Sequence, residues 1–151
     1  MSFASGINGA KRPTGKGEYI KPGNHILQVD YLKENNGYKG ESFVAAFKLI
    51  QSDNEEQGDR PSWVVVKRPD NAEMAQSEVK EFLSILMGCE FDDIDKESFD
   101  EMVGLEQPGA GMYIHCYAWE KPTKKGGLWT AVKWEHIGAE LGDALTEKPA
   151  A

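Results

Sequence analysis

Four lysines and five aromatic rings crowd the 22 residues from Tyr113 to Trp134, YIHCYAWEKPTKKGGLWTAVKW, and Glu120 is the only acidic residue among them. Amines at Lys121, Lys124, Lys125 and Lys133 suit phosphate oxygens. The rings of Tyr113, Tyr117, Trp119 and Trp129 suit stacking on other flat π-systems. A cationic track beside stacking rings is what a single nucleic-acid strand requires, each stacked base being worth about 1–3 kcal/mol. The competing reading is structural. Rings on strands pack well in cores, and Trp63 and Trp134 are expected there. A Lys-Lys-Gly-Gly hairpin tip can be a solvated turn. It is the combination within one short stretch, rather than any single element, that points to a ligand.

Other chemistries lack their residues. GAKRPTGKG (Gly9–Gly17) has glycines spaced one residue too far apart for a phosphate-binding loop. It also has Gly17 where Ser or Thr is required, and no strand before it. DDIDKESFDE is dense in carboxylates but has no glycine at its sixth position, so it reads as a solvated helix start rather than a calcium loop. His25, His115 and His136 show no metal-ligand spacing with each other or with Cys89 and Cys116. No G-x-S-x-G nucleophile motif occurs. The expectation is a non-enzyme with no cofactor and no metal.

Charge is segregated. The 151 residues carry a net charge of -8, which taken alone argues against nucleic acid. Residues 70–107, however, hold twelve Asp/Glu against Lys80 and Lys96, a local net of -10, and leave the rest of the chain at +2. The first 25 residues stand at +3 and residues 121–133 at +4. No apolar run approaches the roughly 18 residues of a membrane span. The first residues lack the apolar segment of a secretory signal. The two cysteines sit beside apolar residues and read as reduced core thiols. A single domain without a membrane association, in the cytoplasm, is expected.

The elements that must position the basic, aromatic stretch emerge from periodicity. Residues 1–18, with four glycines and scattered bases, read as an arm, flexible or DNA-contacting. Asn24–Leu32 alternates, with Leu27, Val29 and Tyr31 on one face, which predicts a strand. KENNGYKGE (Lys33–Glu41) reads as a loop presenting Asn35, Asn36, Tyr38 and Lys39. Ser42–Gln51 predicts a central strand, apolar on both faces. Next come a polar loop and a third strand at Trp63–Arg68. Ala75, Val79, Phe82, Leu83 and Leu86 then fall on one helical stripe, with Asp70 or Asn71 as cap and Gly88 as stop. A short second helix fits Asp95–Gly104, with Phe99, Met102 and Val103 on its apolar side. In GMYIHCYAWE, Met112, Ile114, Cys116 and Ala118 form a core face and Tyr113, His115, Tyr117 and Trp119 the other. Residues 121–127 form a hairpin loop and Leu128–Ile137 its partner strand. Residues 138–151 read as a tail with a short helix.

This β-β-β-α-β-β order is that of the OB-fold, a mainly β, five-stranded, partly open barrel whose ligand face is bordered by its first and last hairpin loops. The domain would span 19–137, with the acidic helical insert at 70–107. Its loops would present Tyr38 and Lys39 on one side and Lys121, Lys124 and Lys125 on the other. GEYIKPGNHILQVDYLKENNGYKGESFVAAFKLIQSD, the acidic insert and the closing KKGGLWTAVKWEHI together resemble OB-fold single-stranded DNA-binding proteins of tailed bacteriophages, over about residues 18–137. The resemblance implies a protein that coats single-stranded DNA during phage replication and recombination. It carries the binding role to Lys121, Lys124, Lys125, Trp129 and Lys133 with the aromatics of the preceding strand. Phage replication or recombination proteins would be further partners, and a homodimer is open. HIGAELGDALTEKPAA departs from the acidic, partner-recruiting tail of many such proteins. Two other classes remain: a β-barrel structural or interaction module of a virion, with the rings facing a protein, and an accessory subunit of a phage nuclease or recombinase.

Overall fold

The computed structural model describes residues 18–37, 40–122 and 126–141. Four of the expected contacts, Tyr38, Lys39, Lys124 and Lys125, lie outside the described residues, as do residues 1–17 of the arm and 142–151 of the tail.

The strands are β1 (Glu18–Tyr19), β2 (Gly23–Gly37), β3 (Gly40–Ser52), β4 (Pro61–Lys67), β5 (Tyr113–Pro122) and β6 (Leu128–Gly138). They form one sheet in the order β1-β4-β3-β2-β5-β6. Strands β2 to β6 pair antiparallel and account for the five expected strands. β1 is an addition: two residues read as the end of the arm and its neighbour run parallel to Pro61–Ser62. Between β4 and β5 lie α1 (Ala72–Met87), a 3-10 turn at Phe91–Asp93 and α2 (Lys96–Met102).

The helices obey their sequence signals. Ala75, Val79, Phe82, Leu83 and Leu86 are all buried. Gly88 adopts φ +70° and closes α1, with Cys89 N–H donating to the Ser84 carbonyl at 3.0 Å. Asp95 caps α2 by accepting from Ser98 N–H at 2.8 Å. Asn71 precedes α1 but does not cap it. Its side chain accepts from Arg68 N–H at 2.6 Å and donates to the Val66 carbonyl, tying the helix start to the end of β4. Cys116 is buried, but Cys89, just past the left-handed glycine, has left the apolar stripe and is exposed, which corrects its reading as a core thiol.

Three strand expectations are corrected. The segment Lys33–Glu41 does not read as a loop throughout: β2 and β3 stay paired to Gly37↔Gly40. Polar residues do not break a strand when neither face is needed for the core, and Lys33, Glu34, Asn35 and Asn36 are all exposed. Next, the ladder skips Asp30 on β2 and Ile50 on β3. A bulge of one residue reverses the parity of every residue beyond it, so Leu32, not Tyr31, enters the core, at 1% exposure against 36%. Finally, the loop after β3 is shorter than its polar composition suggests, because Ser52 and Pro61 both belong to strands.

The sheet curls but does not close. Among the described residues no ladder joins β4 to β6. Helix α1 packs on both strands, and side chains fill the seam. Phe82 of α1 lies 5.2 Å from Trp63 of β4 and 4.7 Å from Trp134 of β6, ring centroid to centroid, and the two indoles are 5.1 Å apart. Trp134 is buried and Trp63 half-buried against the core. The chain is mainly β and barrel-like, with one seam sealed by aromatic packing.

Candidate functional site

β5 and β6 pair antiparallel from Tyr113↔Gly138 to Pro122↔Leu128. On the core side stand Ile114, Cys116 and Ala118, with Trp134 and Val132 opposite them. Tyr113, His115, Tyr117, Trp119 and Lys121 alternate onto the outer side. There Tyr117 faces Lys133, Trp119 faces Ala131 and Lys121 faces Trp129. Directly opposed side chains on a sheet face lie about 5 Å apart at Cβ, so a cation stands beside a ring twice within five rungs.

The rings are presented, not packed away. Tyr117, Trp119 and Trp129 are 43%, 37% and 48% exposed. Tyr117 and Trp119 stack on each other with centroids 5.4 Å apart and planes 22° from parallel. The Lys121 amine lies 5.8 Å from the Trp129 centroid, within cation–π range. Lys121 and Lys133 are exposed, and neither forms an ion pair with another described residue. The core beneath does not need these rings, because the opposite parity of both strands already fills it. The structure therefore brings Tyr117, Trp119, Lys121, Trp129 and Lys133 onto one face. Tyr113 shares that face but is half-buried, against Gln28 of β2.

A polar chain beside the rings was not legible in the sequence. His115 Nδ1 lies 2.7 Å from Glu135 Oε1, and its Nε2 lies 3.2 Å from Asn24 Oδ1. The Asn24 amide N–H₂ and backbone N–H both donate to the Asp53 carboxylate, at 3.0 and 2.8 Å. These bonds fix β6, β5, β2 and the β3–β4 loop to one another next to Tyr117, which is the ladder partner of Asn24. The donated bonds, the Asn24 side chain first, hold the Asp53 carboxyl below its ordinary range. A Cβ at Gly23 would overlap Asp53 Oδ1, and Gly23 sits at φ +131°, so glycine is required there. No periodicity or spacing announces contacts between residues up to 91 positions apart.

The bulge at Asp30 adds further residues to the outer face. By register, Tyr31 and Lys33 of β2 and Lys48 of β3 have the same parity as Gln28, the partner of Tyr113. Sequence alternation assigns Tyr31 to the core, because a bulge leaves no pattern of its own.

Among the described residues, no group of three His, Cys, Asp or Glu is arranged to hold a metal ion, and no helix is long and apolar enough to cross a membrane. Burial in the core pushes the Cys116 thiol far up, out of the range in which a thiolate forms. No protein-family model matches the chain, and no curated protein matches it.

Proposed function

We propose that this chain is a non-enzymatic single-stranded DNA-binding protein built on an open OB-type barrel. The observation that carries the reading is the outer face of β5–β6, where a stacked Tyr117–Trp119 pair and Trp129 are exposed beside Lys121 and Lys133, which form no ion pair with a described residue. Bases would stack on the rings while the amines meet phosphates. Tyr31, Lys33 and Lys48 continue the same face across β2 and β3. The strand sequence β4-β3-β2-β5-β6, with a helix between the third and fourth of the five long strands, is consistent with the OB arrangement. In that reading the Trp63–Phe82–Trp134 contact takes the place of a closing ladder. The acidic insert lies on other elements, which keeps its carboxylates off the binding face. Coating of single strands in phage replication and recombination is the setting that the sequence resemblance supplies.

Tryptophan fluorescence tests this directly. Titration with an oligo-dT strand at low salt is expected to quench emission, because Trp119 and Trp129 meet the bases. Added salt is expected to reverse the quenching as counterions compete for phosphates. An unchanged spectrum at low salt would remove the DNA reading and leave the rings as a protein-facing patch.

A further inference from the structure

A second site is carried by the other side of the sheet, and it does not depend on the nucleic-acid reading. β5 leaves β2 after Gln28↔Tyr113. Two backbone bonds, Val29 N–H to Met112 and Gly111 N–H to Val29, carry the pairing one step further. At Leu32 the Gln107 side chain then stands in for a strand: its Oε1 accepts from Leu32 N–H and its Nε2 donates to the Leu32 carbonyl, both at 2.8 Å. Leu32 therefore directs its backbone groups away from β3. In an antiparallel ladder Glu34 and Asn36 direct theirs the same way. Among the described residues nothing pairs with them there, and residues 33–36 are exposed. The result is a short open strand edge whose first rung is already filled by a side chain.

That edge borders a cleft of about 620 Å³ at the mouth of the barrel, between the sheet and both helices. The volume is that of a ligand site, and barrel mouths are common places for one. Its floor is apolar, with Phe43, Val65, Val79, Leu83, Ile94 and Phe99. Its rim is acidic in balance. Lys67, Lys80 and Lys96 are each paired, with Glu41, Asp92 and Asp100 respectively, whereas Glu34 is in no ion pair with a described residue. Much of that rim belongs to the segment 70–107, whose net charge is -10. A polyanion is repelled from this mouth and a cationic chain attracted.

We infer that the Glu34–Asn36 edge and the adjoining cleft bind an extended, basic segment of a partner protein by strand addition. The segment's backbone would pair with Glu34 and Asn36. Alternate side chains of an added strand fall on the core side of the sheet, where an apolar one enters the cleft, while lysines or arginines meet Glu34 and the acidic helices.

The test is an amide NMR titration of the full chain with the blocked peptide Lys-Val-Arg-Phe-Lys-Val-Arg, against Glu-Val-Glu-Phe-Glu-Val-Glu. Saturable shifts at Glu34, Asn36, Val79 and Phe99 are expected with the basic peptide only. Asn36→Pro removes the outward N–H, at an edge position where proline takes no donor from the β3 side of the ladder. Glu34→Lys reverses the charge at the edge. Each is expected to weaken binding at least tenfold in a chain whose spectrum remains dispersed. Shifts confined to other surfaces, equal binding of the acidic peptide, or undiminished binding to both variants would each overturn the inference.

Discussion

At the scale of single residues, Trp119 and Trp129 carry the proposed function. Replacing either with Ala removes one stacking surface without opening the core, because both rings lie on the outer face. Each substitution is expected to cost about 1–3 kcal/mol of oligo-dT affinity, roughly 5- to 150-fold, with an unchanged urea midpoint. Lys121→Ala acts differently: it is expected to lower the slope of log affinity against log salt by about 0.7, the value for one phosphate contact on a single strand. Isothermal or fluorescence titrations at several salt concentrations separate the two effects. A tryptophan variant that loses stability instead of affinity would place that ring in the fold and not in the site. His25 gives a residue-scale expectation about pH. Its ring is buried, with Nε2 donating to the Lys21 carbonyl at 2.6 Å and Nδ1 2.7 Å from the Ser52 hydroxyl. Burial, the largest cause, lowers its pKa from 6.5. Because the folded value is depressed, the unfolded chain takes the proton first as pH falls. The contribution is present above pH 6.5 and is lost as pH drops through the folded value. The urea midpoint is expected to fall on acidification from about pH 6.5, before carboxylates such as Asp53 titrate, and His25→Gln is expected to flatten that first step.

At the scale of elements, the helices were legible and the strand ends were not, for a physical reason. A helix declares itself by a stripe repeated over several turns and by a cap such as Asp95 or a stop such as Gly88. A strand declares only a parity, and one extra residue at Asp30 or Ile50 reverses it. This is why the sequence places Tyr31 in the core and ends the first strand before Gly37. The outer position of Tyr117 and Trp119 was legible because β5 has no bulge between Ile114 and Pro122. The Asn24–His115–Glu135 bonds were not, since they join elements across the sheet. Gly88 also shows how one residue can answer two demands. Its φ of +70° ends α1, and a Cβ there would come within 2.8 Å of the His136 ring, whose Nδ1 donates to the Ile85 carbonyl at 2.8 Å. Gly88→Ala is therefore expected to cost more than the roughly 1–2 kcal/mol of a left-handed residue alone. The measurement is the urea midpoint at constant m-value, and a loss of under about 1 kcal/mol would show that β6 tolerates displacement of His136.

At the scale of the whole molecule, two charge regimes and two sheet edges are held in one body by a small aromatic cluster. Among the described residues, the only ladder that joins the basic, aromatic β5–β6 hairpin to the rest of the sheet runs from Gly23↔Ala118 to Gln28↔Tyr113. Its other edge has no ladder to β4, so Phe82 wedged between Trp63 and Trp134 sets where the proposed binding face stands relative to β2 and β3. Phe82→Ala removes the ring that both indoles touch and is expected to cost about 3–5 kcal/mol. The loss should also be uneven. β2 and β3 remain paired over twelve rungs, whereas β6 keeps only β5. Amide hydrogen exchange is expected to accelerate most in β6, at Val132 and Trp134, and least at Leu27, Val29 and Phe47. Oligo-dT affinity should fall as well, although the substituted residue is buried and touches no DNA, because Trp129 and Lys133 ride on the loosened strand. Uniform acceleration across the sheet would mean that the seam is one more part of a single cooperative core; protection of β6 left intact would mean that the hydrogen bonds to β5 suffice and the aromatic seal is dispensable.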